Sequence, residues 1–112
     1  MPIGDWIRNF PNAITVCDLR GIVLEMNDKA AEGYREFGGR QLMGKSIIDC
    51  HPEAARNTFL RLLESGDRNV YTIEKNGIKK LVYQAPWYRN DQRCGMVELV
   101  LEIPFDLPHF VR

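Results

Sequence analysis

Asn76-Gly77 is the residue pair that most limits what this chain can fold into. A two-residue hairpin loop needs positive φ at both positions, and Asn followed by Gly reaches it at the lowest steric cost. The flanks agree: Asn69 to Lys75 and Ile78 to Ala85 carry the β-branched and aromatic residues of long strands. Pro86-Trp87-Tyr88 continues the second strand irregularly, and Arg89 to Arg93 reads as a polar turn. Gly95 to Ile103 is then a third strand. In it Val97, Leu99, Leu101 and Ile103 alternate with Glu98 and Glu102, which that alternation makes outward, solvated charges. Pro104 and Pro108 forbid a regular element beyond it, and Lys75, Lys79 and Lys80 are a solvated hairpin tip.

The first half of the chain reads as short pieces. Ile3, Trp6, Ile7 and Phe10 fall at i, i+3, i+4 and i+7, one apolar stripe of a short helix stopped by Pro11. Ala13 to Asp18 and Ile22 to Asn27 are two short apolar runs around the turn Leu19-Arg20-Gly21, a second hairpin. Asn27 or Asp28 caps a helix over Lys29 to Phe37, which Gly33 breaks and Gly38-Gly39 ends. Gln41 to Lys45 is one more helical turn, and Ser46 to Cys50 is a connector. The longest helix follows, with His51 and Pro52 at its start, a buried stripe of Ala55, Phe59, Leu62 and Leu63, and Gly66 as its stop.

Two strands, a run of helices and three strands predict an α+β fold: one five-stranded antiparallel sheet with the helices on one face. The hairpin strands are apolar in both alternation sets, Tyr71 and Val82 in one, Val70, Leu81 and Tyr83 in the other. A sheet with one wet face would not be, so the second face also needs a cover. The N-terminal helix or a partner subunit is the expected one.

At 112 residues the chain has room for one core, and 45% hydrophobic residues are enough to build it. Fifteen basic residues balance fifteen acidic ones. A nucleic-acid binder carries a basic excess, so that class of partner is not expected. No apolar run is long enough to span a membrane, and Asp5 and Arg8 interrupt the first ten residues, unlike a signal peptide. Three cysteines without paired spacing (Cys17, Cys50, Cys94) fit free thiols in a reducing cytoplasm. The two histidines offer no zinc spacing.

Several strings, in order, resemble the PAS domain family between Phe10 and Phe105. Ala13 to Ala30 is similar to the family's opening hairpin, in which an aspartate-to-glycine turn leads to a strand ending in Asn, with Ala three residues later. Leu42-Met43-Gly44-Lys45-Ser46 looks like its connector, and Glu98 to Ile103 is similar to its last strand. The resemblance implies a cap helix over residues 1–12, a sensory domain over 13–104 and a tail over 105–112. It implies a small molecule or cofactor held between sheet and helices, dimerisation through the cap and the outer sheet face, and an output-domain or kinase partner. Candidate ligand contacts on that placement are Met26, Asn27, Tyr34, Phe59, Leu63, Tyr83 and Leu99. The candidate dimer interface is Ile3, Trp6, Ile7 and Phe10.

Cofactor chemistry can be tested on the residues. The light-sensing flavin photoadduct needs a cysteine three residues after the connector glycine, where this chain has Ile47, so that chemistry is not expected. Haem would take His51 as its iron ligand, with Phe59, Leu62 and Leu63 as its bed; the plainer role of His51 is to start the helix. Cys50-His51 as a nucleophile and base lacks an orienting third group, and Cys50 reads as a small buried hydrophobe. Tyr71, Tyr83, Trp87 and Tyr88 suit core packing, a planar-ligand pocket or a dimer face. The expected function is a non-enzymatic sensory domain of bacterial type that signals through its contacts. The alternatives are a ligand-free dimerisation scaffold and a haem sensor.

Overall fold

The structure is a computed structural model and describes residues 4–112. A short helix, α1 (Asp5–Arg8), precedes the hairpin β1 (Ala13–Asp18) and β2 (Val23–Met26). Helix α2 (Asp28–Gly33) follows, then three 3₁₀ turns at Arg35–Phe37, Gly39–Leu42 and Ile48–Cys50, and the long helix α3 (Glu53–Ser65). Strands β3 (Asn69–Lys75), β4 (Ile78–Arg89) and β5 (Gln92–Ile103) complete one antiparallel sheet in the order β2-β1-β5-β4-β3. The predicted α+β architecture is the observed one. No helix among the described residues is long and apolar enough to cross a membrane.

Local chemistry accounts for the turns. Asn76 and Gly77 take φ of 54° and 77°, the positive pair a two-residue hairpin requires. Asn90 and Asp91 do the same at 49° and 64°, so β4 and β5 run further than the sequence indicates. Pro86 does not interrupt β4. Strand β3 ends its pairing at Asn69 opposite Gln84, so β4 has no neighbour on that side at Pro86 and its missing N–H costs no ladder bond. In the first hairpin the Asp18 carboxylate accepts from the backbone N–H groups of Arg20 and Ile22 and closes the turn.

The core lies between the helices and one sheet face. Phe59, Leu62 and Leu63 of α3 pack with Cys17, Val23, Met26, Ala30, Leu42, Ile47 and Met96. Burial of each large side chain contributes about 1.5–3 kcal/mol. Ala55, expected in the buried stripe, is only half-buried.

The N-terminal stripe is corrected. The helix is only Asp5–Arg8, because the residue before a proline disfavours α conformation and Pro11 places that restriction on Phe10. Phe10 therefore lies beyond the helix and Trp6 is 73% exposed, while Ile7 and Phe10 are half-buried. Ile3 lies outside the described residues. Trp6, Ile7 and Phe10 do not form one helical face.

Candidate functional site

Register fixes which side chains share a face. Thr15 pairs with Glu98 and Glu98 with Gln84, while Cys17 pairs with Met96. Cys17 and Met96 are in the core beneath α3, so Thr15, Glu98 and Gln84 point the same way, toward the helices. The expected phase of β5 is thus reversed: Glu98 and Glu102 face inward, and Val97, Leu99, Leu101 and Ile103 face outward. The outer set meets Leu81 and Tyr83 of β4 in a half-buried apolar surface.

A polar network crosses the inner face. The Asn69 amide donates to Gln84 Oε1 at 3.0 Å, and the Gln84 amide donates to Glu98 Oε2 at 2.7 Å. From the helix side the Tyr34 hydroxyl donates to Glu98 Oε1 at 3.1 Å. All three bonds run toward the half-buried Glu98 carboxylate. Burial first, then the Glu98 charge and the hydrogen bond to it, push the Tyr34 hydroxyl far above its ordinary range. Tyr71 is raised by burial and then by the same charge. Among the described residues no Lys or Arg forms an ion pair with Glu98.

This network borders a cleft of about 480 Å³ between α2 and the inner faces of β3, β4 and β5. Tyr34 and Glu98 stand at one side, Ile73 and Val100 give apolar wall, and Lys80 and Glu102 face each other across β4 and β5. On the other side of Glu98, toward α3, the cavity is about 10 Å³, space for no more than a water.

The expected ligand residues are divided by this geometry. Tyr34 lines the cleft. Phe59 borders the small cavity, and Met26 and Leu63 are core residues. Tyr83 and Leu99 are direct partners on the outer face, so they cannot share a site with the other five; the Tyr83 hydroxyl accepts from Arg68 at 3.4 Å.

Asn27 is fully buried, and its side chain is spent on the backbone. Oδ1 accepts from the N–H groups of Ile14 and Ala30, each at 3.0 Å, and Nδ2 donates to the carbonyls of Ile7 at 3.0 Å and Asn12 at 2.8 Å. That leaves nothing for a ligand. Asn27 is the N-cap of α2 and ties α1 to the β1 hairpin.

His51 precedes α3, and its Nδ1 bonds the Ile47 carbonyl at 2.8 Å. Its ring lies 5.5 Å from Phe59 and 6.4 Å from Tyr34, centroid to centroid. The space between α3 and the sheet is far below the roughly 300 Å³ that a cofactor pocket needs, so this arrangement does not fit haem beside His51. Cys50 is raised by burial and then by Asp49, the opposite of an activated thiol. Among the described residues no cluster of His, Cys, Asp and Glu could hold a metal ion.

No family model matches the chain, and no curated protein matches it. Solved structures do match in fold. The PAS domain of BvgS from Bordetella pertussis superposes with a TM-score of 0.60 at 24% identity, covering 88% of this chain and 81% of that one. The PAS domain of an HTR-like protein from Haloarcula marismortui gives 0.58 at 16% identity, over 88% and 86%. The Aer2 receptor from Vibrio cholerae, a dual PAS-haem oxygen sensor, gives 0.58 at 15% identity, over 83% and 95%. With this sheet order, helices on one face and these neighbours, the chain is a domain of the PAS fold.

Proposed function

We propose that this chain is a cytoplasmic sensory domain that binds a small molecule in the cleft between α2 and the inner sheet face and signals through dimer or partner contacts. Residues 13–104 would be the sensing unit, with 1–12 as cap and 105–112 as tail. The observation that carries the reading is the cleft itself: about 480 Å³, within the usual range for small-molecule sites, with the Glu98 network converging at its edge. PAS domains in receptors and sensor kinases among the structural neighbours support a signalling role.

A physical route leads outward from the cleft. A ligand against Glu98 changes what Tyr34 gains by bonding it, and Tyr34 directly follows α2. The α2 cap, Asn27, holds the carbonyls of Ile7 and Asn12. Binding would therefore shift the population of α1 positions. The half-buried outer face (Leu81, Tyr83, Val97, Leu99 and Leu101) is the surface for a second copy, an output domain or a kinase.

The filled space beneath α3 favours a second reading, a ligand-free dimerisation module. Native mass spectrometry and a thermal-shift screen of small molecules separate the two. A co-purifying mass or a stabilising compound supports the sensor. A clean apo dimer that no compound stabilises overturns it in favour of the scaffold. Leu101→Asp should dissociate the dimer in analytical ultracentrifugation; an unchanged sedimentation coefficient would remove the outer face as the interface.

A further inference from the structure

Glu98 is a half-buried carboxylate served by neutral donors alone, the Tyr34 hydroxyl and the Gln84 amide. Two ionised oxygens offer about four acceptor positions, and these bonds use two. The other charges around the cleft come in both signs, with Arg35 and Lys75 among the cations. Lys29 is held to Glu32 at 3.7 Å, and Lys80 stands directly across from Glu102 in register. None of these cations pairs with Glu98, which leaves that carboxylate without a counter-ion among the described residues.

Its surroundings are aromatic and apolar. Tyr34 bonds it directly and lines the cleft beside it. Ile73 and Val100 line the same cleft. A carboxylate beside a tyrosine and an apolar wall is complementary to an ammonium group on a hydrocarbon body.

We infer that the cleft takes a small organic cation, an alkyl- or arylalkylammonium, with its charged head against Glu98, Tyr34 as its aromatic neighbour, and its apolar body along Ile73 and Val100. The inference rests on the small-molecule reading of the cleft and adds the chemical class.

Isothermal titration calorimetry on the full chain at low salt tests it with matched probes. Butylamine, phenethylamine and tetramethylammonium are compared with butyrate, phenylpropionate and butanol. The expected result is binding of the ammonium probes, weakened by added salt, with little from the acids or the alcohol. Glu98→Gln, which keeps an acceptor for Tyr34, should lower ammonium affinity at least tenfold, while Glu102→Gln at the rim should change it less than threefold. Should Glu98→Gln fail to fold, Tyr34→Phe serves instead: it frees an acceptor position on Glu98 and should leave ammonium binding equal or tighter. A tenfold loss in Tyr34→Phe would overturn the inference, as would ammonium affinity unchanged in Glu98→Gln. Binding of acids or alcohol alone keeps the small-molecule reading and sinks the cation. Binding of no probe at all sinks both.

Discussion

Sixty-four positions of sequence separate Tyr34 from Glu98, and a hydrogen bond of 3.1 Å joins them. It connects the end of α2 to β5 across the edge of the cleft. Around it the sheet supplies the rest of the polar chain, so Tyr34 from the helix layer and Gln84 from the sheet meet at one carboxylate.

Removing that hydroxyl tests its worth. Tyr34→Phe keeps the ring packing and takes one donor from Glu98. A hydrogen bond to a charged group contributes about 1.5–3 kcal/mol, and the half-exposed setting places this one at the lower end. Thermal unfolding should show a Tm lower by several degrees. An unchanged Tm would mean that water replaces the hydroxyl at no cost.

Asn27 should be far more sensitive. Asn27→Ala abandons four backbone groups at once, each bonded within 2.8–3.0 Å. A buried group left without a partner costs about 1–3 kcal/mol, so the loss should exceed 3 kcal/mol in urea unfolding. Asn27→Asp is the sharper probe. It keeps the acceptor for Ile14 and Ala30 but turns an oxygen toward the carbonyls of Ile7 and Asn12. Limited proteolysis should then cut between residues 4 and 12 before the sheet unfolds. Simultaneous loss of both regions would refute the separate attachment of α1.

These two residues also show where sequence reading works and where it stops. Turn and cap chemistry is local, so Asn76-Gly77, the Asp18-to-Gly21 turn, a cap at Asn27 or Asp28 and the Gly66 stop were legible, as was a single five-stranded antiparallel sheet, but not its strand order. The phase of β5 was not. Val97, Leu99, Leu101 and Ile103 form the more apolar set, and the ordinary rule sends such a set to the core. Here it belongs to the outer face, and the core side holds Met96, Glu98, Val100 and Glu102. Nothing within the strand says which of its two faces the core will take. That single inversion hid Glu98 and moved Tyr83 and Leu99 into the site. The role of Asn27 was hidden for a different reason: its partners at Ile7, Asn12 and Ile14 are distant in sequence, and only the closed hairpin brings them together.

Gly95 marks a close approach between strands. It pairs with Trp87 on one side and Asp18 on the other, and the Trp87 indole N–H donates to the Cys17 carbonyl at 3.0 Å. Gly95 has φ of 157°, and a Cβ there would run into that carbonyl. Gly95→Ala should therefore displace Trp87 as well as destabilise the sheet by about 2 kcal/mol or more. In a Trp6→Phe background Trp87 is the sole tryptophan, and its emission should shift to the red on the substitution while the chain remains folded by circular dichroism. Unchanged emission with unchanged stability would contradict the contact.

Cys17 predicts the alkaline behaviour of the fold. Burial pushes its thiol up from 9.0 to about 11, with the Asp18 and Glu98 charges adding and a backbone hydrogen bond from Met96 opposing. The unfolded thiol ionises near 9.0, so between that value and about 11 the unfolded chain releases a proton that the folded chain keeps. Its contribution is complete below pH 9 and is lost as pH rises toward 11. The loss from this group is on the order of 1 kcal/mol by pH 10. Tyr34 and Tyr71 are raised as well and act in the same direction, beginning near the ordinary tyrosine range. Comparison with Cys17→Ala separates the thiol from them: urea unfolding at pH 8 and pH 10 should give a smaller pH difference in the variant by about that amount. Equal differences in the two proteins would show that the thiol ionises alike in the folded and unfolded chains.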